Sequence, residues 1–354
     1  MRPYAKLYLT RKGERAARSG HPWVYGEEVT HVDGQYKTGD LVDVLSEKGK
    51  YLGTGFANDI SKIRVRIISR NANDRFDEAF WQRRVQYALA YRRTVMGEKD
   101  FSCCRLIFGD ADEMPGLTVD RYNDLLVAQT LCYGMDVVKP VIFKALTDQL
   151  RHMGVIIRGI YERNDVRVRE LDGMEQYKGW YETPYLPEPG SALTTIDENG
   201  ILYDVDVENG QKTGFFLDQK YNRLAVAKIA AGHHVLDCFT HTGAFALNAA
   251  RGGAASVTAV DISDEAVSMT RENIRRNGLE DKVTAMQANV FDLLTDLAEH
   301  KNHDYDFIIL DPPAFTKSGH TVRNAIRGYK EINLKAMKLL PRGGYLATCS
   351  CSHF

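Results

Sequence analysis

Four short stretches in the last third of this 354-residue chain carry residue types that do chemistry. Asp237-Cys238-Phe239-Thr240-His241-Thr242-Gly243 leads from an apolar run into a helical one. Asp261 closes the next apolar run, and Asp311-Pro312-Pro313-Ala314-Phe315 closes a later one. Thr348-Cys349-Ser350-Cys351-Ser352 closes the last. A carboxylate at a strand end is placed to accept both hydroxyls of a ribose. Two successive prolines fix φ and remove two N–H donors, which makes a rigid loop suited to gripping a planar base. A cysteine thiolate attacks electrophilic carbon. Residues two apart share a side of a strand, so Cys349 and Cys351 are expected to point alike.

These stretches need a frame. From about residue 200, strands alternate with helices: His234–Phe239, Ala244–Arg251, Val257–Asp261, Asp264–Asn277, Val283–Gln287, Tyr305–Leu310, Ala325–Leu340 and Tyr345–Ser350. That alternation predicts an α/β domain, a parallel sheet covered by helices. Ligands of such sheets bind beyond the carboxyl ends of the strands, where all four stretches fall. A dinucleotide site would place G-x-G-x-x-G after the first strand to seat a pyrophosphate. This loop has the single Gly243, which points to a cofactor without phosphates. Asn289, after the third strand, is placed either to meet an adenine amino group, with Val290 or Phe291 against the ring, or to serve as an ordinary loop polar group.

The front of the chain differs. Val24–Tyr25, Leu41–Leu45, Tyr51–Phe56 and Ile63–Ile68 read as short strands of a small β-barrel. Ile63-Arg64-Val65-Arg66-Ile67 alternates, which predicts a buried apolar face and two arginines turned to solvent. Residues 1–75 hold 14 Lys/Arg against 9 Asp/Glu, although the whole chain is at −1. Such a surplus suits a phosphate backbone or a plain solvated surface. A helix is predicted over 77–96, with Trp81, Val85, Ala88 and Leu89 inward and Arg83, Arg84, Arg92 and Arg93 around them. Strands and helices mix over 105–185: a hairpin turned at Asn123-Asp124, a helix Val137–Leu150 and a strand Val155–Ile160. The proline-rich Thr183–Gly190 reads as a boundary. The expected domains are therefore 1–75, 76–190 with the basic helix in an α+β fold, and 191–354. No apolar run approaches a membrane span, and the N-terminus lacks the apolar core of a signal peptide. The six cysteines show neither a disulfide framework nor paired C-x-x-C spacing, and no H-E-x-x-H occurs. A reducing cytoplasm and no metal are expected.

VLDCFTHTGAFA, the acid Asp261 and LDPPAF resemble motifs I, II and IV of class I S-adenosylmethionine methyltransferases. Lys212–Gln219 (KTGFFLDQ) resembles the segment before motif I in the large-subunit ribosomal RNA cytosine-5 methyltransferases that carry an N-terminal PUA domain. His21-Pro22-Trp23-Val24 is similar to the PUA signature, and Gly109–Arg121 and Tyr161–Met174 to that family's central domain. The resemblance implies a Rossmann-like C-terminal domain, a PUA-like barrel and S-adenosyl-L-methionine as cofactor. The cofactor would be held by Phe216, Asp218, Gln219, Asp237, Phe239, Thr240, Gly243, Asp261, Ile262, Asn289, Val290 and Asp311. It implies methylation of a cytosine C5 in 23S-type ribosomal RNA, with Cys351 (T-x-S-C-S) as nucleophile, Asp311 holding the base, and Pro312, Pro313, Phe315, Arg64 and Arg66 meeting the RNA. Cys349 takes the pattern's variable position and is expected to be a small buried hydrophobe. The resemblance also allows a homodimer. Two departures are Lys220, where the family often has Arg, and Asp237, where some members have Asn. The chain ends at Phe354, three residues after Cys351, so the last hairpin of the sheet is expected to be missing. Two alternatives stay open: methylation of an exocyclic base nitrogen, and a cofactor-bound RNA-binding or ribosome-assembly protein without turnover.

Overall fold

A computed structural model describes residues 2–300, 304–316 and 321–352. The chain forms two compact units, residues 1–196 with 205–217 and residues 197–204 with 218–354.

The first unit holds two sheets. Strands β1 (Ala5–Leu9), β2 (Trp23–Tyr25), β3 (Val29–Asp33), β4 (Leu41–Ser46), β5 (Tyr51–Ala57) and β6 (Ile63–Ser69) pair in the order β2-β6-β5-β4-β1-β3. This is the PUA-like barrel, closed over Leu7, Leu9, Val24, Val42, Val44 and Val65. Helix α1 (Arg11–Arg18), which the sequence reading passed over, starts where the Thr10 side chain accepts the Gly13 N–H. The alternation in β6 holds for Val65 and Ile67, which are buried. It fails as a forecast of solvent-facing arginines. Arg66 donates to Asp172 at 3.0 Å, with the two side chains 13% and 3% exposed. Arg64 pairs with Asp59.

The second sheet of this unit contains β7 (Cys103–Phe108), β8 (Leu117–Tyr122), β9 (Leu125–Thr130), β10 (Gly159–Asn164) and β11 (Tyr177–Trp180), in the order β11-β10-β9-β8-β7. Helices α2 (Glu78–Val95) and α3 (Tyr133–His152) pack on it. The β8–β9 turn falls at Asn123-Asp124, with Asn123 at φ 53°. Strand β10 begins four residues later than expected. Its Glu162 accepts from Lys139 (2.8 Å), Tyr177 (2.9 Å) and Asn164 (3.1 Å), so a polar stretch is satisfied inside the protein. The hairpin β12 (Leu193–Glu198) and β13 (Ile201–Asp206) follows, and the division between the units runs through it.

In the second unit, α4 (Lys220–Ile229) precedes β14 (His234–Cys238), α5 (Ala244–Arg251), β15 (Ser256–Asp261), α6 (Asp264–Arg276), β16 (Val283–Gln287), α7 (Val290–Glu299), β17 (Phe307–Leu310), α8 (Val322–Leu339) and β18 (Tyr345–Thr348). All five strands are parallel, in the order β16-β15-β14-β17-β18. Leu236, Cys238, Val260, Ile308 and Leu310 fill the core. The order reverses between β14 and β17, which opens the switch-point crevice of a Rossmann-like sheet. Helix α7 was not expected from the sequence, and β18 stops two residues short of its forecast end.

Candidate active site

Register sets the geometry. Cys238 lies opposite Val260 on one side and Leu310 on the other, and Leu310 lies opposite Thr348. The residues that follow, Phe239, Asp261, Asp311 and Cys349, therefore emerge level with one another at the carboxyl ends of four neighbouring strands.

The loop after β14 is sharply bent. Phe239 (φ 64°), His241 (φ 53°) and Gly243 (φ 79°) all lie in the left-handed region. Gly243 is required by packing: a Cβ there would sit 2.7 Å from Thr270 of α6. The loop is tied down by carboxylates. Asp261 accepts from the N–H of His241 (2.9 Å) with one oxygen and from Ser263 (3.0 Å) with the other. Asp237 is fully buried, and its Oδ2 accepts from Thr240 Oγ1 (2.5 Å) and Ala246 N–H (3.0 Å). Its Oδ1 has no hydrogen-bond partner among the described residues. Burial pushes the Asp237 carboxyl up to about 7; the Thr240 hydroxyl opposes the rise, and the Asp311 and Asp261 carboxylates add to it. Three carboxylates thus converge at the switch point. Such a cluster disfavours a phosphate there.

Around this centre, Ile262 stands 65% exposed beside Asp261, an apolar surface for a planar ring. Asn289 caps α7 by accepting the Phe291 N–H at 2.9 Å. Val290 turns into the core at 3% exposure, which leaves Phe291 as the half-buried apolar residue of that strand end. Gln219 donates to Asp311 at 3.4 Å, while Asp218 is exposed. Pro312 is buried and Pro313 exposed. Phe315 packs among Tyr329 (4.6 Å), Phe291 (5.8 Å) and Phe239 (6.5 Å), pinning the proline loop to α8.

The two cysteines part company because β18 ends before either of them. Cys349 does not behave as a buried hydrophobe. Half-buried, its thiol touches Gln219 and Asp311, and burial with the Asp311 carboxylate pushes it up to about 11. It therefore stays protonated. Cys351 is exposed, with its Sγ 3.7 Å from the Pro312 carbonyl oxygen. Cys238 is core, and Cys103, Cys104 and Cys132 are buried.

Phe216, Arg64 and Arg66 belong to the first unit. There Lys212 lies 4.3 Å over the Phe216 ring. Two residues not singled out from the sequence anchor this segment. Asp120 accepts from Thr213 Oγ1 at 2.6 Å, and the buried Tyr122 hydroxyl donates to the Phe215 carbonyl at 3.0 Å. Both come from the Gly116–Tyr122 stretch, whose buried polar residues were the available signal. Among the described residues, no group of three or more His, Cys, Asp or Glu could hold a metal, and no helix is long and apolar enough to cross a membrane.

Comparisons with known proteins agree with this architecture. Residues 7–70 match the PUA-like domain family, and residues 173–353 match the S-adenosylmethionine-dependent methyltransferase family. The ribosomal RNA large subunit methyltransferase I of Klebsiella pneumoniae is 36% identical over 350 residues, covering 99% of this chain and 85% of that protein. The Shewanella amazonensis protein of the same name is 39% identical, covering 96% and 83%. Among solved structures, a methyltransferase complexed with SAH shares the fold at TM-score 0.75 and 23% identity, covering 97% of this chain and 85% of that one.

Proposed function

The chain belongs to the S-adenosylmethionine-dependent methyltransferases with a PUA-like N-terminal domain, and on that premise we propose that it methylates C5 of a cytosine in large-subunit ribosomal RNA. One observation carries the reading: an exposed thiol, Cys351, abuts the Asp311-Pro312-Pro313 loop at the switch point.

The crevice suits the cofactor. S-adenosylmethionine is a sulfonium with no phosphate, and Asp237, Asp261 and Asp311 gather there with an unpartnered buried oxygen on Asp237. When bound, it supplies an electrophilic methyl group. Asp261 and Ile262 would hold the ribose and one ring face, Asn289 and Phe291 would lie by the adenine, and Asp218, Gln219, Phe239, Thr240 and Gly243 would hold the rest.

Cytosine C5 is too weak a nucleophile to accept a methyl unaided. The Cys351 thiolate adds to C6, and the displaced π electrons make C5 enamine-like. After methylation, a base takes the C5 proton, the freed electron pair re-forms the C5–C6 double bond, and the thiolate leaves C6. Asp311 holds the exocyclic amine. Cys349, protonated and touching Asp311, orients that carboxylate rather than attacking. The flat base must leave its stack to reach Cys351.

The test is trapping on large-subunit RNA transcribed with 5-fluorocytidine, whose adduct cannot lose fluorine and persists in denaturing gels. The parent chain and Cys349→Ala form the adduct, and Cys351→Ala does not. Full methyl transfer by Cys351→Ala would sink the covalent mechanism and leave amino methylation, which needs only the Asp-Pro-Pro loop.

A further inference from the structure

We propose that the solvent face of α2 is a stacking platform for single-stranded RNA, an inference that rests on the RNA-substrate reading above. Helix α2 buries Phe80, Trp81, Val85, Ala88 and Leu89. That leaves an opposite face where Tyr87 is 61% exposed, Tyr91 60% and Val95 54%. These three recur every fourth residue, one helical turn apart, and form a stripe. Exposed tyrosines cost hydrophobic free energy that a plain solvated surface avoids.

The surroundings of the stripe choose the occupant. From Ala79 to Val95 there is no Asp or Glu. Arg83 and Arg93, 44% and 51% exposed, flank the stripe, each in a surface ion pair at 3.6 Å, with Asp74 and Glu98, that solvent screens and a phosphate can replace. Arg92, buried and paired with Asp112, backs the Tyr91 ring at 5.4 Å. Gln82, Gln86 and Thr94 complete the exposed face with hydrogen-bonding groups. Rings, exposed guanidinium groups and amides on a helix face with no carboxylate of its own are what an unpaired polyanion with exposed bases meets favourably. Tyr87 and Tyr91 are about 6 Å apart along the helix axis, so each can take its own base. Recognition here is by stacking and charge, and is tolerant of sequence.

The experiment uses the full chain and a fluorescein-labelled, mixed-sequence RNA about 20 nucleotides long, single-stranded or annealed to its complement, over a salt series. Tyr87→Ala/Tyr91→Ala is expected to weaken single-strand binding roughly ten- to a hundred-fold. The duplex is affected much less, and the salt slope stays unchanged because no charge is removed. Tyr87→Phe/Tyr91→Phe keeps the rings and restores binding. Arg83→Gln/Arg93→Gln lowers the single-strand salt slope by about 1.4. All these side chains are exposed, so the thermal midpoint serves as a check that the variants fold. If the parent binds RNA and the double alanine variant binds it equally well, the platform is wrong while the RNA reading stands. A change in sedimentation without a change in RNA affinity also overturns it, in favour of a protein-binding face. A parent that binds neither strand form overturns the RNA reading and the platform together.

Discussion

Charge has opposite fates in the first unit and at the crevice of the second, whose body also buries an ion pair, Arg223 with Glu198. In the first, cations are matched by carboxylates of the same unit: Arg2 with Asp43, Arg66 with Asp172, Arg92 with Asp112, Arg105 with Asp120. In the second, Asp237 and Asp261 meet at the strand ends and are held by backbone N–H groups and a hydroxyl rather than by cations. The difference teaches that a surplus of one sign along a sequence says little until pairing is known. The basic front end spends much of its charge on architecture, whereas the crevice keeps its charge available to a ligand.

That contrast can be broken or sharpened. The largest expected effect lies at the crevice, where Cys351→Ala should lower methyl transfer at least about a thousand-fold and Cys349→Ala much less. Comparable losses from both would erase the distinction between the thiols. Next comes the buried pair of the first unit. Arg66→Ala strands Asp172 without its partner and should cost about 3 kcal/mol in urea denaturation, leaving the salt dependence of RNA binding as it was. A reduced salt slope in a fully stable variant would return Arg66 to the RNA-contacting surface. Asp261→Ala removes the acceptor that ties two loops and meets the ribose, so calorimetric affinity for S-adenosylmethionine should fall about ten- to a hundred-fold. A last expected effect is a pH dependence. Asp237 has a carboxyl raised to about 7 in the folded chain, so the folded state holds a proton that the unfolded state has lost. Stability should therefore be highest in acid and decline as pH rises from about 4 to about 7. Asp237→Asn should flatten that window, and an unchanged slope would assign the decline to other groups.

The crevice was more legible in the sequence than the regions that frame it. The bounds of α5 and β16 matched because short apolar runs are punctuated there by Gly243 and Asn277-Gly278. Helix α7 was missed because Asn289 was weighed as a ligand contact. Yet Val290, Leu293, Leu294 and Leu297 recur at helical spacing, and Asn289 is their cap. The fate of Arg66 was beyond local reasoning, since Asp172 lies 106 residues away. Strand β10 was misplaced because burial of Glu162, Arg163 and Asn164 depends on partners from other elements. The contact of Cys349 with Asp311 was hidden for a related reason. It follows from the β17–β18 register, which two separate motifs do not announce.

The level row formed by Phe239, Asp261, Asp311 and Cys349 has an evolutionary consequence. Each member directly follows a residue held in step with the neighbouring strand. One residue gained or lost inside any of those strands would move its member about 3.3 Å along the sheet and turn its side chain to the opposite face. For a lineage drifting over many generations, the spacing that delivers the row is closed to insertion and deletion.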